Sequence, residues 1–384
     1  FESVSDLENA GNIMDKVYSN KLYREHIIRR GNVQTVMLGF SDGTKDGGYL
    51  TANWSILKAK ESLTKVSRKF GIKVIFFDGR GGPPARGGGN THQFYSSLGD
   101  FIESDEIQLT VQGQTISSNF GTIKSSQYNM EQLISSGIKN RILSNSEVFN
   151  KKNRKTIEKL SSISYSSYKD FKSHPSFIPY LEKMSTIKYY SKTNIGSRPS
   201  KRGVKGEEFN FDKLRAIPFV GSWNQLKQNV PGFFGLGTSI NYFYEKNRIK
   251  DVKLLYQEVP FFRALVSNSM MSLTKSFFEL TSYMSKDQEF GEFWKIIHDE
   301  YVITKKMLLK ISNFKELMEN EPANKLSIET RENIVMPLIT IQQYALQIVK
   351  EIESGDLKKT DKSVFEKIIT RSLYGNINAS RNSA

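Results

Sequence analysis

Between Asp78 and His92 the sequence reads DGRGGPPARGGGNTH, with six glycines, two prolines and two arginines in fifteen positions. Glycine at that density shapes backbone, and its bare N–H groups can cradle an anion. Arg80 and Arg86 add planar forks that match phosphate or carboxylate. Three readings stand on pattern alone: a flexible linker, an RGG-type nucleic-acid segment, and an anion cradle built on Gly79, Gly81, Gly82, Gly87 and Gly88. Linkers rarely follow a core strand or run into aromatics such as Phe94 and Tyr95. RGG segments need many repeats in a disordered stretch. A Walker loop is excluded, because no Gly-Lys-Ser/Thr follows.

A second polar stretch, SDGTKDGG, holds Asp42, Lys45 and Asp46. It reads either as ordinary turn chemistry or as a metal-binding aspartate with a cation beside it for an anion. A third, SRPSKR, contributes Arg198, Lys201 and Arg202, and its default reading is a solvated basic face. Arg215 directly precedes an apolar run, where an arginine is costly unless it is paired.

These residues need a frame. Residues 33–41 read as a strand ending in the polar turn. Residues 49–69 read as an amphipathic helix with Trp54, Leu57, Leu63 and Val66 on one face and lysines over the rest. Residues 72–77 are a second strand, completing a β-α-β unit with parallel strands. Parallel α/β folds bind ligands at the carboxyl ends of their strands, where both polar loops fall. Residues 107–116 and 214–223 are further strand candidates. Residues 151–213 read as helices followed by a basic loop. From about 240 onward the pattern is helical, with one helix expected over 259–284 and another over 331–352 that Pro337 kinks or restarts.

Composition excludes several classes. With no cysteine there is no disulfide, thiolate nucleophile or cysteine zinc site. The four histidines lack metal-ligand spacing. No apolar run approaches a membrane span. The net charge of +15 attracts anions without saying which. Residue 1 is Phe, so the chain reads as a fragment of a longer protein.

Taken together and in order, VMLGFSDGTKDGG, FFDGRGGPPARGGGNTH, TVQGQTISSNFG, GSRPSKR, LRAIPFVGSWNQ and the terminal RNSA resemble the phosphoenolpyruvate carboxylase family. The opening FESVSDLENA and Tyr23-Arg24-Glu25 extend the resemblance over essentially the whole chain, matching that family's carboxyl-terminal half.

The resemblance implies an α/β fold with predominant helix. Residues 1–235 would be the active-site half of a (β/α)8-type barrel, and residues 236–384 a helical bundle carrying an inhibitor site. It implies a cytoplasmic carbon–carbon lyase that joins phosphoenolpyruvate to bicarbonate, giving oxaloacetate and phosphate with Mg²⁺ or Mn²⁺. Glu2 and Asp42 would hold the metal, and Arg80 and Arg215 the moving phosphoryl group. Lys45 would position bicarbonate, while Arg86 and Arg198 complete the anionic pocket. Aspartate or malate would inhibit by binding Arg86, Lys275, Arg331 and Asn382, drawing the glycine loop from the active site. The likeness also implies a homotetramer without nucleic-acid or membrane partners. The amino-terminal half, with its own catalytic residues, is missing, so this chain is expected to be inactive alone. The alternative is a catalytically silent homologue that binds dicarboxylates and regulates. One position departs from the family: Asp78 stands where FHGRGG has histidine. Two expectations follow for Asp78, that it turns toward Arg80 or Arg86, or that it caps the glycine turn.

Overall fold

The computed structural model describes residues 1–111, 114–143, 149–190, 211, 214–355 and 362–380. Arg198, Lys201, Arg202 and Asn382, all singled out above, lie outside the described residues. The chain opens with α1 (Val4–Ser19) and α2 (Lys21–Arg29), then β1 (Val33–Leu38), α3 (Phe40–Gly47), α4 (Tyr49–Lys69) and β2 (Lys73–Asp78). After the glycine loop come α5 (Thr91–Tyr95), β3 (Ile107–Leu109), α6 (Gln114–Phe120), α7 (Ile123–Leu143), α8 (Lys151–Lys172), α9 (Phe177–Met184) and α10 (Ile187–Tyr190). The remainder is helical: α11 (Ala216–Gln225), α12 (Leu236–Glu245), α13 (Ile249–Glu258), α14 (Pro260–Thr274), α15 (Gly291–Ser312), α16 (Pro322–Ser354) and α17 (Lys362–Ser380).

The protein is a mostly helical α/β structure with a small parallel sheet in the order β1-β2-β3. Its register runs from Val33 beside Lys73 to Leu38 beside Asp78, and Asp78 also pairs with Leu109. Asp78 therefore ends the central strand, and both predicted polar loops leave the carboxyl edge of this sheet. The β-α-β reading of residues 33–77 is confirmed.

Four expectations are corrected. Residues 40–47 are a helix and not a turn. Two glycines weaken this segment as a helix, but Phe40 and Thr44 are fully buried, and Thr44 Oγ1 donates to the Phe40 carbonyl at 2.9 Å. Residues 107–116 form only a three-residue strand before α6 begins. Residues 216–225 are a helix, although read as a strand. A short, mostly apolar run that is largely buried fits either element, and Pro218 suits the first turn of a helix better than a central strand. The helix expected over 259–284 ends at Thr274, and Phe278–Lys286 is a separate 3-10 segment. The α16 helix continues through Pro337 without restarting.

One hydrophobic core joins the sheet to the helices that follow. It runs from Leu7 and Trp54 through Phe76 and Phe94 to Phe261, Leu308 and Ile328. A second cluster packs Tyr168, Phe171, Phe219 and Trp223 behind α11.

Candidate active site

At the end of β1, Gly39 donates its N–H to the Phe1 carbonyl at 2.8 Å, and the Phe1 ammonium donates to Met37 at 3.0 Å. These bonds lay the first residues beside the strand and pack the Glu2 side chain against Gly39. Asp42 lies in the first turn of α3, where the helix N-terminus favours an anion. Lys45 follows in the last turn, its ammonium 4.4 Å from the centre of the Phe211 ring.

The loop after β2 folds tightly on itself. Gly81 donates to Arg86, Gly87 to Pro84, Gly88 to Pro83 and Gly89 to Gly82, while Gly79 donates to Leu38 and prolongs the sheet ladder. Gly87 holds φ at +78°, and a Cβ there would come within 2.4 Å of Phe40. A Cβ on Gly88 would meet the Gly82 carbonyl at 1.9 Å, so this crossing admits only glycine. The expected cradle of outward-facing amides is therefore not what this conformation presents. The N–H groups of Gly81, Gly87, Gly88 and Gly89 are used inside the loop and that of Gly79 on β1, which puts the weight of anion binding on the cationic side chains.

Arg80 is buried. Its Nε donates to Gly87 at 2.5 Å and its Nη2 to Gly88 at 3.4 Å. The guanidinium lies 4.3 Å from the centre of the Phe94 ring and 5.2 Å from that of Tyr95. Beside Arg80 and the loop glycines opens a cavity of about 120 Å³, closed by Leu109, Asn119, Phe120 and Asn129. Arg86 reaches the other way, with its Nε 3.3 Å from Ser41 Oγ on α3. Burial pulls its guanidinium down to about 10, opposed by the Asp42 carboxylate, so it remains cationic at neutral pH. Arg215 is the residue immediately before α11, which packs against α3 and the Pro84–Arg86 turn.

Asp78 breaks both expectations. It touches neither arginine fork with its side chain and does not cap the glycine turn. Its Oδ2 accepts from Lys60 Nζ at 2.7 Å and from the Tyr95 hydroxyl at 2.7 Å. Neither Asp78 nor Lys60 reaches solvent, with side-chain exposures of 0% and 1%. Burial pulls the Lys60 ammonium down while Asp78 pushes it back up. Burial and the same carboxylate raise the Tyr95 hydroxyl, keeping it a donor. Lys60 was missed because α4 was read with its lysines on the outer face. The available signal was spacing: Lys60 sits on the same stripe as buried Ile56, Leu57, Leu63 and Thr64.

Of the candidate inhibitor residues, Lys275 stands at the end of α14 and Arg331 lies on α16. Burial and the neighbouring Lys227 pull Lys275 down to about 8, with Arg331 acting in the same direction and Glu332 against it. Lys227 forms an ion pair with Glu332. The structure thus brings Lys275 and Arg331 into one electrostatic cluster, whereas Arg86 is engaged with Ser41 and Asp42.

Glu2, Asp42, Lys45, Arg80 and Arg86 thus lie on segments that adjoin the carboxyl ends of β1 and β2, and Arg215 stands at the start of the helix packed on α3. The model of the family described as phosphoenolpyruvate carboxylase matches residues 1–379. The chain belongs to the phosphoenolpyruvate carboxylase family. Membership implies a carboxy-lyase, the reaction class expected from the quoted motifs. Among the described residues no cluster of three or more histidine, aspartate or glutamate side chains could hold a metal. Glu2 and Asp42 make two hard oxygen donors, a set that suits Mg²⁺ only with substrate oxygens and water completing it. No helix among the described residues is long and apolar enough to cross a membrane.

Proposed function

We propose that this site joins phosphoenolpyruvate to bicarbonate, producing oxaloacetate and inorganic phosphate. The observation that supports the reading is that the segments carrying Asp42, Lys45, Arg80 and Arg86 directly follow β1 and β2, in a chain matched to this family over residues 1–379. Arg80 and Arg215 bind the phosphoryl group, whose charge spreads over three oxygens. Lys45 holds bicarbonate so that one of its oxygens attacks phosphorus. The bond from phosphorus to the enol oxygen breaks, and that oxygen keeps the electron pair. The resulting carboxyphosphate releases CO₂ and phosphate, and C3 of the enolate bonds to the CO₂ carbon. Mg²⁺ or Mn²⁺, held by Glu2 and Asp42, supplies Lewis-acid stabilisation of the enolate oxygen. The glycine loop excludes water, which would otherwise protonate the enolate to pyruvate.

This proposal keeps the finer expectations together. The three strands belong to an eight-stranded barrel, divided near residue 235 from a helical bundle. Arg198 joins the anionic pocket, and Arg86, Lys275, Arg331 and Asn382 seat aspartate or malate. The assembly is a cytoplasmic homotetramer. The test couples oxaloacetate formation to NADH oxidation by malate dehydrogenase, using residues 1–384 supplied with the amino-terminal half and Mg²⁺. Oxaloacetate that requires both phosphoenolpyruvate and bicarbonate is the expected result. No turnover, together with intact aspartate binding, would establish the silent dicarboxylate-binding homologue instead.

A further inference from the structure

We propose that Lys60, Asp78 and Tyr95 form a positioning network for Arg80, with Tyr95 as the joint between the buried ion pair and the guanidinium. The inference rests on the reading of Arg80 as the phosphate-binding residue.

Three observations carry it. First, the ion pair stands at the base of the loop: Asp78 is the last residue of β2, and Arg80 leaves the strand two positions later, its N–H donating back to the Asp78 carbonyl at 2.9 Å. Second, Tyr95 is bound at both ends. Its hydroxyl donates to Asp78 Oδ2 at 2.7 Å, and its ring lies 5.2 Å from Arg80 Cζ. The adjoining Phe94 supplies the closer face at 4.3 Å and meets Tyr95 edge-on, with ring planes at 90°. Third, Asp78 Oδ1 is buried and finds no hydrogen-bond partner among the described residues. All the charge-assisted bonding of Asp78 therefore falls on Oδ2, where Lys60 and Tyr95 meet.

A buried carboxylate with one charged donor fixes the direction of its second donor. Lys60 comes from the middle of α4 and is itself held inside the core, with its ammonium 5.0 Å from the centre of the Phe76 ring. It anchors Asp78, Asp78 sets the tilt of Tyr95, and the Tyr95 ring sets where the flat guanidinium can rest. A guanidinium that must donate to a planar group of oxygens gains from such fixing, because a small misplacement weakens several bonds together. None of the three network residues touches substrate in this account. They act through Arg80.

The experiment compares wild-type protein with Tyr95→Phe, Lys60→Met and the double variant Lys60→Met/Asp78→Asn. Hydrogen–deuterium exchange is followed in the peptides covering residues 79–95. Phosphoenolpyruvate and inorganic phosphate affinities are measured by calorimetry, and thermal midpoints are recorded for each protein. Tyr95→Phe keeps the ring and loses only the hydroxyl. It should lower the midpoint only modestly, because one buried acceptor loses a donor, while it speeds exchange in the loop and weakens phosphoenolpyruvate about tenfold. The neutral double variant should recover the midpoint lost in Lys60→Met without recovering affinity or loop protection. If Tyr95→Phe exchanges and binds like wild type, or if the double variant regains wild-type affinity, the network serves stability alone and the inference is overturned. If wild type fails to bind phosphoenolpyruvate, the proposed reaction falls. The exchange comparison then still decides whether the network fixes the loop.

Discussion

The ammonium of Lys60 lies 2.7 Å from Oδ2 of Asp78, and the two groups are sealed from solvent beneath the glycine loop. Two residues 18 positions apart in sequence thus form a unit at the end of the central strand. Breaking such a pair on one side leaves a charge stranded in the core, whereas removing both charges is often neutral.

Lys60→Met should therefore destabilise the protein by about 3–5 kcal/mol, while Lys60→Met/Asp78→Asn should lie within about 1–2 kcal/mol of wild type. Urea unfolding followed by tryptophan fluorescence measures both. Equal losses in the single and double variants would mean that the ion pair is not what makes Lys60 costly to replace.

Arg80 combines two hydrogen bonds to loop carbonyls with a face packed on Phe94. Lysine keeps the charge but neither the fork nor the flat surface. Arg80→Lys should lower kcat/KM for phosphoenolpyruvate by roughly a hundredfold, the scale seen when one oriented donor to a developing charge is lost. The KM for bicarbonate should change much less. Normal phosphoenolpyruvate kinetics in this variant would remove Arg80 from the phosphate role.

Inhibition by aspartate or malate should fade in mildly alkaline solution. Lys275 is pulled down to about 8 by burial, with Lys227 and Arg331 adding repulsion and Glu332 opposing them. A lysine with a lowered pKa is cationic below that value and loses its charge as pH rises through it, well before an ordinary lysine does. One unit above it only about a tenth of the population remains charged. The inhibition constant should therefore climb between about pH 7 and 9, and Lys275→Met should flatten the climb. An inhibition constant that stays level over this range in wild type would count against Lys275 as a ligand.

Glu300 tests the helical part separately from the chemistry. Its carboxylate is buried, is pushed up by that burial, and accepts from the N–H groups of Gly235 at 3.0 Å and Thr238 at 3.2 Å. The hydroxyl of Thr304 adds a third bond at 3.1 Å, and that of Thr238 a further one. This side chain caps α12 from α15. Glu300→Ala should cost about 2–4 kcal/mol in urea unfolding, since several buried donors lose their acceptor together. It should leave the KM for phosphoenolpyruvate unchanged. A loss under about 0.5 kcal/mol would show that the cap is dispensable.

The parts of this architecture that could be read in advance share a physical basis. The run 72–77 is apolar and bounded by polar loops, so β2 and the glycine turn beyond it were legible from local pattern. The helix over 49–69 was legible in the same way, down to both ends. Residues 40–47 were not, because their glycines argue against a helix. Burial of Phe40 and Thr44 outweighs that propensity, and burial is a property of the assembled fold. Residues 214–223 were misread as a strand because a largely buried, mostly apolar helix carries little polar stripe to reveal its period. At the site, Arg80, Arg86, Asp42 and Lys45 stood out as candidates because charged residues between glycines are conspicuous. Lys60 was overlooked because a lysine in a helix is ordinarily solvated, and nothing nearby in sequence shows that Asp78 is its partner.

The Arg80 guanidinium, bonded to the carbonyls of Gly87 and Gly88, is the clasp of the loop that carries it. If the proposed phosphate is taken by these same donors rather than by the remaining N–H groups of the guanidinium, capturing the ligand and unfastening the loop become one event. Part of the attraction between phosphate and arginine would then be spent in releasing the resting state. In that case the measured affinity should be weaker than the isolated contact would give, by the fraction of time the clasp is undone. Association becomes gated as well: its rate should level off at high ligand concentration, at the frequency with which the loop opens by itself.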